Sequence, residues 1–288
     1  SLAAYQGEYG LEQFWHLKAS EGKMPAGVIL SIPHLMVTLD EMRDIDNEQQ
    51  KYLRKFNVKP LREGMYPNVK QIIPGLLPMT PEPELLPDVA RILEQTIWVI
   101  EHALKNDKAF IHTEGDGEDD YYFRIPVLKD NGSKWIGQKN TITNNFQPVS
   151  ATYDSLEFDR FKNLPPFRDV LQMELCPLPF PVREDGKPDY FPSGFFVTNA
   201  RSGIIEMFEA IPPFPTYHEM TGKLPDILIK QCLKKGWRPD RVKYRAFHLT
   251  TLMSFLQKHK IAKAWHAFHL PAVDEALDSM MKSIDGQG

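Results

Sequence analysis

The sequence is poor in cysteine and holds no long apolar run. Only Cys176 and Cys232 occur among 288 residues, and they form no CxxC pair, so neither a disulfide framework nor a structural zinc site is expected. No segment approaches the roughly 18 apolar residues that a membrane helix needs. The N-terminus also lacks the basic and apolar regions of a secretory signal. The sequence therefore predicts a cytoplasmic protein with free thiols and no membrane partner.

Catalytic signatures are missing as well. The sequence contains no glycine-rich phosphate loop, no GxSxG elbow and no HExxH motif. The acidic segment 114–120 lacks the alternation of a calcium-binding loop. Several histidines lie close in sequence without a cysteine or glutamate at a diagnostic offset, namely His248, His259, His266 and His269. We therefore expect no bound metal and no cofactor, and the sequence names no activity.

What is present is an ordinary globular composition with an uneven distribution of charge. With 42% hydrophobic and 25% charged residues, the chain has room for two domains. The formal net charge of −4 divides into −8 for residues 1–189 and +4 for residues 190–288. Between residues 230 and 263, ten Lys and Arg accompany the single acid Asp240. This asymmetry predicts that the C-terminal part contacts a polyanion or the acidic half of its own chain.

The first two thirds of the chain predict an α+β fold. Helical spacing covers residues 40–56 and 84–104, and strand-length apolar runs occur at 28–30 and 35–39. Prolines crowd residues 59–87, which predicts irregular, extended chain there and excludes a helix interior or a central strand. A β-meander is predicted from the runs 109–112, 121–128 and 135–141. A helix over 154–163 with Asp154 as its N-cap and a strand over 170–175 follow.

Residues 190–288 predict an α/β domain that begins with a β-hairpin. Strands over 195–198 and 204–211 are joined by a loop that contains Gly203. Helices and strands then alternate over 224–235, 241–247, 249–260, 261–268 and 271–281, and Gly236 closes the first of these helices. The order β-β-α-β-α-β-α resembles the ribonuclease H-like fold, in which an antiparallel hairpin precedes parallel strands of a mixed sheet. The predicted division is 1–78 (a small α+β unit), 79–107 (a connector with a helix), 108–189 (an antiparallel β-rich region) and 190–288.

The ribonuclease H-like interpretation raises the question of catalysis. Such an enzyme gathers carboxylates around two divalent metals about 4 Å apart. The end of the first predicted strand carries Asn199, and an amide is a poor substitute for a charged oxygen at a hard cation. Glu206, Asp240 and Asp274 remain as candidate catalytic acids of a divergent nuclease or phosphoryl-transfer enzyme. In the other interpretation they are solvent-facing acids of a non-catalytic binding or interaction protein.

The basic segment is the candidate nucleic-acid or anion-binding site. Trp237 and Tyr244 are interleaved with it, so that it would hold phosphates and stack bases. Alternatively, these are ordinary surface charges and both aromatic residues pack in the core. The candidate binding residues are Lys230, Lys234, Lys235, Arg238, Arg241, Lys243 and Arg245.

Two groups of segments carry a family resemblance. Residues 5–11, 35–42 and 66–78 resemble the later part of a domain found in uncharacterised bacterial proteins. The segments 190–192, 196–199, 202–204 and 236–242 are similar to a second domain that accompanies it, and both are known only as domains of unknown function. The resemblance implies a bacterial cytoplasmic protein with further residues upstream of this chain, and it transfers no active site.

Overall fold

The computed structural model divides the chain into two units of mixed α/β structure. The first unit consists of residues 1–9, 35–70 and 80–146, and the second of residues 10–34, 71–79 and 147–288. The four-part division expected from the sequence stays a prediction. The structure describes residues 2–5, 10, 13–14, 28–61, 63–105, 120–129, 132–141 and 149–285.

A three-stranded sheet belongs mainly to the first unit. Its strands are, in spatial order, β1 (Leu2–Tyr5), β2 (His34–Glu41) and β3 (Met65–Ile72). The interpretation of 59–87 as irregular chain was wrong for β3, since Pro67 is tolerated in a strand at the end of the sheet order. Residues 28–30 were wrongly expected to form a strand, because they belong to the 3₁₀ helix Val28–Ser31. So short an apolar run does not distinguish a strand from a buried helical turn.

The helices of the first unit lie close to their predicted positions. The helix α1 (Asn47–Lys55) begins later than expected because residues up to Glu41 remain in β2, and the Asp46 carboxylate accepts hydrogen bonds from the first amides of the helix. The helix α2 (Leu86–Ala103) matches its predicted range. Short 3₁₀ helices cover Met42–Asp44 and Pro83–Leu85.

A two-stranded antiparallel hairpin also belongs to the first unit. It consists of β4 (Asp120–Lys129) and β5 (Gly132–Thr141), which correspond to two strands of the predicted meander. The third predicted strand, 109–112, lies outside the described residues, as do residues 114–119 of the acidic segment.

A five-stranded mixed sheet forms the centre of the second unit. Its spatial order is β10-β9-β6-β7-β8, with β6 parallel to β9, β9 parallel to β10, and β7 antiparallel to both β6 and β8. The central strand is therefore β6, which pairs both with the predicted hairpin and with the first parallel strand. The strands are β6 (Val170–Pro177), β7 (Ser193–Asn199), β8 (Ile205–Ile211), β9 (Arg241–Tyr244) and β10 (Lys263–His266).

Helices pack on both faces of this sheet. Because side chains alternate along a strand, Leu171 and Met173 of β6 join the larger core, whereas Cys176 packs with Phe196 and with Leu277 of the last helix on the other face. The helices are α3 (Ser155–Lys162), α4 (Tyr217–Gly222), α5 (Leu224–Lys235), α6 (Thr250–Lys258) and α7 (Pro271–Asp285).

Local signals place the ends of these helices as the sequence predicted. The Asp154 carboxylate accepts a hydrogen bond from the Glu157 amide at the start of α3. Gly236 follows α5 with a φ of +77° and donates its N–H to the carbonyl of Cys232. The strand β9 is shorter than predicted, because the chain turns into the 3₁₀ helix Phe247–Leu249. Within the described ranges, no helix is both long enough and apolar enough to cross a membrane.

Candidate functional site

The three candidate catalytic acids are not brought together. Glu206 lies in β8, Asp240 immediately precedes β9, and Asp274 lies in the first turn of α7. Two strands separate β8 from β9, so Glu206 and Asp240 are about 14 Å apart across the sheet. Among the residues that the structure describes, no group of three or more His, Cys, Asp or Glu could hold a metal ion.

Asp274 instead belongs to a cluster of three charged residues, with Arg245 and Glu174, that sequence reasoning missed. The Nε atom of Arg245 lies 2.6 Å from Oε2 of Glu174, and its Nη1 atom lies 2.8 Å from Oδ1 of Asp274. Arg245 and Glu174 are each only 1% exposed. Arg245 is thus part of the interior of the second unit and does not share a surface with the other predicted basic residues.

The sheet register explains how these charges meet. Gln172 and Met173 of β6 pair with Lys243 and Tyr244 of β9, so the next pair of positions places Glu174 beside Arg245. On the same face, Oε1 of Gln172 accepts hydrogen bonds from Ala272 N at 3.0 Å and from Val273 N at 3.4 Å at the start of α7. Gln172 therefore holds the helical turn that presents Asp274.

The charges of Glu174 and Arg245 compensate each other in the interior, as in a contact that stabilises the fold. Burial raises the pKa of Glu174, while the charge of Arg245 and its hydrogen bond oppose this rise. The Leu175 amide also donates to Glu174 Oε1 at 3.1 Å. Removing one member of such a pair leaves the other as an uncompensated buried charge. One signal could have identified Glu174, namely a single charged residue within the otherwise uncharged strand 170–177.

The surface site lies where α5 and α6 end and where β9 and β10 begin. Successive helices and parallel strands return to the same edge of a sheet, and the register places Lys263 beside Arg241. A guanidinium N–H of Arg241 donates to the carbonyl of Arg168, which precedes β6 at this edge. We name this surface the basic edge, and its exposed members are Lys162, Arg168, Lys234, Lys235, Arg241, Lys258, Lys260 and Lys263.

The ring of His259 lies close to two lysines of the basic edge. Burial lowers its pKa, and the charges of Lys258 from α6 and Lys162 from α3 lower it further. Its Nε2 atom lies 3.4 Å from the hydroxyl of Tyr153. Lysines from two different helices therefore act on the same ring.

Nearby acids offset only part of this positive charge. Lys162 pairs with Asp159 at 2.8 Å, and Arg241 Nε lies 4.0 Å from Asp240. Both acids are exposed, and pairs of this kind contribute little in water.

Only some of the predicted binding residues belong to the basic edge. Lys234, Lys235 and Arg241 do. Lys230 lies one helical turn earlier and pairs with Asp226 at 2.7 Å. The other three predicted binding residues are less accessible to a ligand, because Arg238 and Lys243 are half-buried and Arg245 is buried.

Arg238 has an internal role, because its Nη1 atom donates to the carbonyl of Ile261 at 2.8 Å. The sequence prediction also omitted Lys162 and Arg168, which stand more than sixty positions before Lys230. Only the pairing of β6 with β9 brings that part of the chain to the same edge.

Comparison with known proteins gives two matches. Residues 1–121 match the family model of a domain of unknown function, DUF7309, and residues 157–281 match that of another, DUF6930. The second match contains the five-stranded sheet, the buried ion pair and the whole basic edge. No curated protein and no solved structure matches the chain. As the resemblance in the sequence implied, the models of two domains of unknown function match the chain, DUF7309 in its N-terminal part and DUF6930 in its C-terminal part.

Proposed function

We propose that the second unit is a non-catalytic binding module whose basic edge takes up nucleic acid or another polyanion. The observation that carries this proposal is the convergence of exposed Lys and Arg side chains from α3, α5, α6 and the starts of β6, β9 and β10. A phosphate backbone offers evenly spaced negative charge, and its binding to such a surface releases counterions.

The positions of Lys258 and Lys162 around His259 support the same site, because their charges add to the burial that lowers the pKa of this ring. Two lysines that lower a histidine pKa create a positive potential that an anion would relieve. The exposed position of the lysines matters as well, because long and flexible cationic side chains can follow a flexible phosphate backbone.

The proposal includes a ribonuclease H-like arrangement for this unit. In it β6, rather than β7, is the leading strand, since β6 joins the antiparallel strands to the parallel ones. In this arrangement Glu174, and not Asn199, occupies the position in the first strand where a ribonuclease H-like enzyme would carry its leading acid. Asn199 has a local role instead, because its Oδ1 atom accepts hydrogen bonds from the amides of Arg201 and Ser202 in the hairpin loop.

The surroundings of Glu174 support the non-catalytic form of the proposal. A catalytic carboxylate in this strand would face a divalent cation, whereas Glu174 contacts the guanidinium of Arg245. Asp274, the only member of the predicted acid set that lies close to Glu174, contacts the same guanidinium.

We also propose that the protein works in the bacterial cytoplasm. The two cysteines are buried, and Cys232 and Cys176 belong to core clusters on opposite faces of the sheet. Burial raises the pKa of both thiols, which keeps them protonated and unreactive. Free, unpaired thiols fit a reducing compartment.

The experiment is a binding titration with labelled oligonucleotides at low salt. The variant Lys234→Glu/Arg241→Glu should bind at least about tenfold more weakly than the unmodified chain, since each phosphate contact contributes to an electrostatic affinity. The matched control is Lys187→Glu/Lys223→Glu, which makes the same change of charge at exposed lysines of the same unit outside the basic edge. Equal losses in both variants, or no binding at low salt, would overturn the proposal.

A further inference from the structure

Two half-buried aromatic rings lie within the basic edge. The rings of Phe167 and Trp237 have centroids 4.5 Å apart and planes inclined by 47°. In sequence, Phe167 precedes Arg168, and Trp237 stands two residues after Lys235. Cationic side chains of the basic edge therefore flank this aromatic pair on both segments.

Backbone hydrogen bonds join the two segments that carry these rings. The Phe167 amide donates to the carbonyl of Arg238 at 2.8 Å, and the Arg238 amide donates to the carbonyl of Pro165 at 2.9 Å. The segment before β6 and the segment before β9 are thus joined at the base of the sheet. Preorganised rings lose little conformational freedom when a flat ligand binds them.

The partial exposure of this pair, which Tyr153 and Tyr244 share, separates it from the buried phenylalanines of the same core. Phe158, Phe161 and Phe255 are buried, with exposures of 7%, 0% and 3%. Phe167 and Trp237 pack against that core and still reach solvent. Because their planes are tilted, neither ring covers a whole face of the other.

We infer that the polyanion bound at the basic edge is single-stranded nucleic acid, whose bases stack on Phe167 and Trp237 while the lysines and arginines hold its phosphates. The inference rests on the proposed function and names its substrate class. A duplex keeps its bases stacked on one another, whereas a single strand presents open base faces to aromatic side chains. A basic groove combined with stacking rings is the combination that single strands require.

The experiment compares three probes by fluorescence anisotropy at the same low salt: oligothymidylate of about 20 nucleotides, its duplex with oligoadenylate, and heparin as a polyanion without bases. The unmodified chain should bind the single strand more tightly than the duplex. Trp237→Leu should weaken single-strand binding about tenfold, as expected for the loss of one stacked base. Heparin binding should be unchanged, because all of the cationic side chains remain.

Two further variants make the result specific. Trp237→Phe keeps an aromatic ring and should retain most of the single-strand affinity. Phe268→Leu removes an aromatic ring that is 44% exposed and follows β10 at the end opposite to the basic edge, so it should change nothing. If Trp237→Leu does not fold by circular dichroism, Phe167→Leu takes its place in the same comparison.

The outcomes separate the two proposals. Equal affinity for single strand and duplex, or a Trp237→Leu loss that is equal for heparin and oligothymidylate, would overturn the inference and leave the basic edge as a general polyanion site. Absence of binding to all three probes would overturn the proposed function together with this inference.

Discussion

The Arg245 guanidinium lies 2.6 Å from the Glu174 carboxylate at the central strand of the five-stranded sheet, and both residues are 1% exposed. The contact joins positions 71 residues apart in sequence. It therefore ties β6 to the chain that follows β9, on the face where α7 packs.

Breaking this pair should destabilise the second unit strongly. Arg245→Leu leaves Glu174 as a buried carboxylate without its cation, which costs about 3–5 kcal/mol of unfolding free energy. Urea denaturation measures the change. The control Arg241→Leu removes an exposed arginine of the same strand region and should cost less than about 1 kcal/mol.

A second variant tests whether the cost arises from the charge. Glu174→Leu/Arg245→Leu removes the two buried members of the cluster, leaves only the partly exposed Asp274, and should recover much of the stability that Arg245→Leu loses. If the two substitutions lower the unfolding free energy independently, the double variant will be less stable than Arg245→Leu by the full cost of Glu174→Leu alone. That result would contradict a cost that arises from the unpaired charge.

Acid should destabilise the protein through His248. This ring is 8% exposed, lies 2.8 Å from the hydroxyl of Ser31, and has its pKa lowered by burial to about 4. Because the unfolded chain binds the proton from about pH 6.5 downward and the folded chain does not, stability is lost as the pH falls from about 6.5 to about 4. The loss approaches about 3 kcal/mol at the lower end.

Unfolding free energies measured over the same pH range for two histidine variants isolate the contribution of His248. His248→Gln should flatten the stability profile between about pH 6.5 and pH 4, whereas His218→Gln, at an exposed histidine, should leave it unchanged. An unchanged slope in His248→Gln would show that His248 is not the responsible group.

Gly75 should not tolerate a side chain. Its φ is +81°, and a Cβ atom built there would lie 2.4 Å from Cβ of Pro213. Gly236 has a similar φ of +77° with open space around it. Gly236→Ala should therefore cost about 1 kcal/mol for the backbone alone, and Gly75→Ala should cost about 1–3 kcal/mol more because of the clash. Thermal melts of the two variants measure the difference, and equal costs would refute the clash.

Removing one lysine should raise the pKa of His259. Lys258→Met deletes a positive charge that disfavours the protonated ring, so the pKa moves toward its ordinary value. Histidine NMR titration measures this shift. Lys230→Met serves as the control, because Lys230 lies outside the basic edge and pairs with Asp226. A His259 pKa that does not respond to Lys258→Met would remove this support for a concentrated positive potential.

Local signals in the sequence predicted individual elements but not their pairing. Three of these signals act within a few residues of the chain: the apolar spacing of α2, the capping carboxylate of Asp154 and the left-handed Gly236. The positions of the helices that they define therefore follow from the sequence alone. The central position of β6 depends on partners far away in the chain, and no local pattern carries that information. The strand β3 was missed because proline statistics do not distinguish an outer strand from a loop.

The same limit applies to the candidate site. Alternation along a strand places residues 241, 243 and 245 on one side of the chain, but it does not reveal that Glu174 and α7 meet Arg245 there. The lysines and arginines at the ends of α5 and α6 could be found from the run of basic residues. Lys162 and Arg168 could not, because only the fold brings them near Arg241.

Oligonucleotide binding at the basic edge should depend steeply on the salt concentration. Between about 50 and about 200 mM salt, the logarithm of the affinity should fall linearly with the logarithm of the salt concentration. Loss of two phosphate contacts in Lys234→Glu/Arg241→Glu should reduce the magnitude of that slope by about two, while Lys187→Glu/Lys223→Glu leaves it unchanged. An affinity that does not depend on salt, or a slope that is the same in the variant and in the unmodified chain, would contradict the assignment of the basic edge as the binding site.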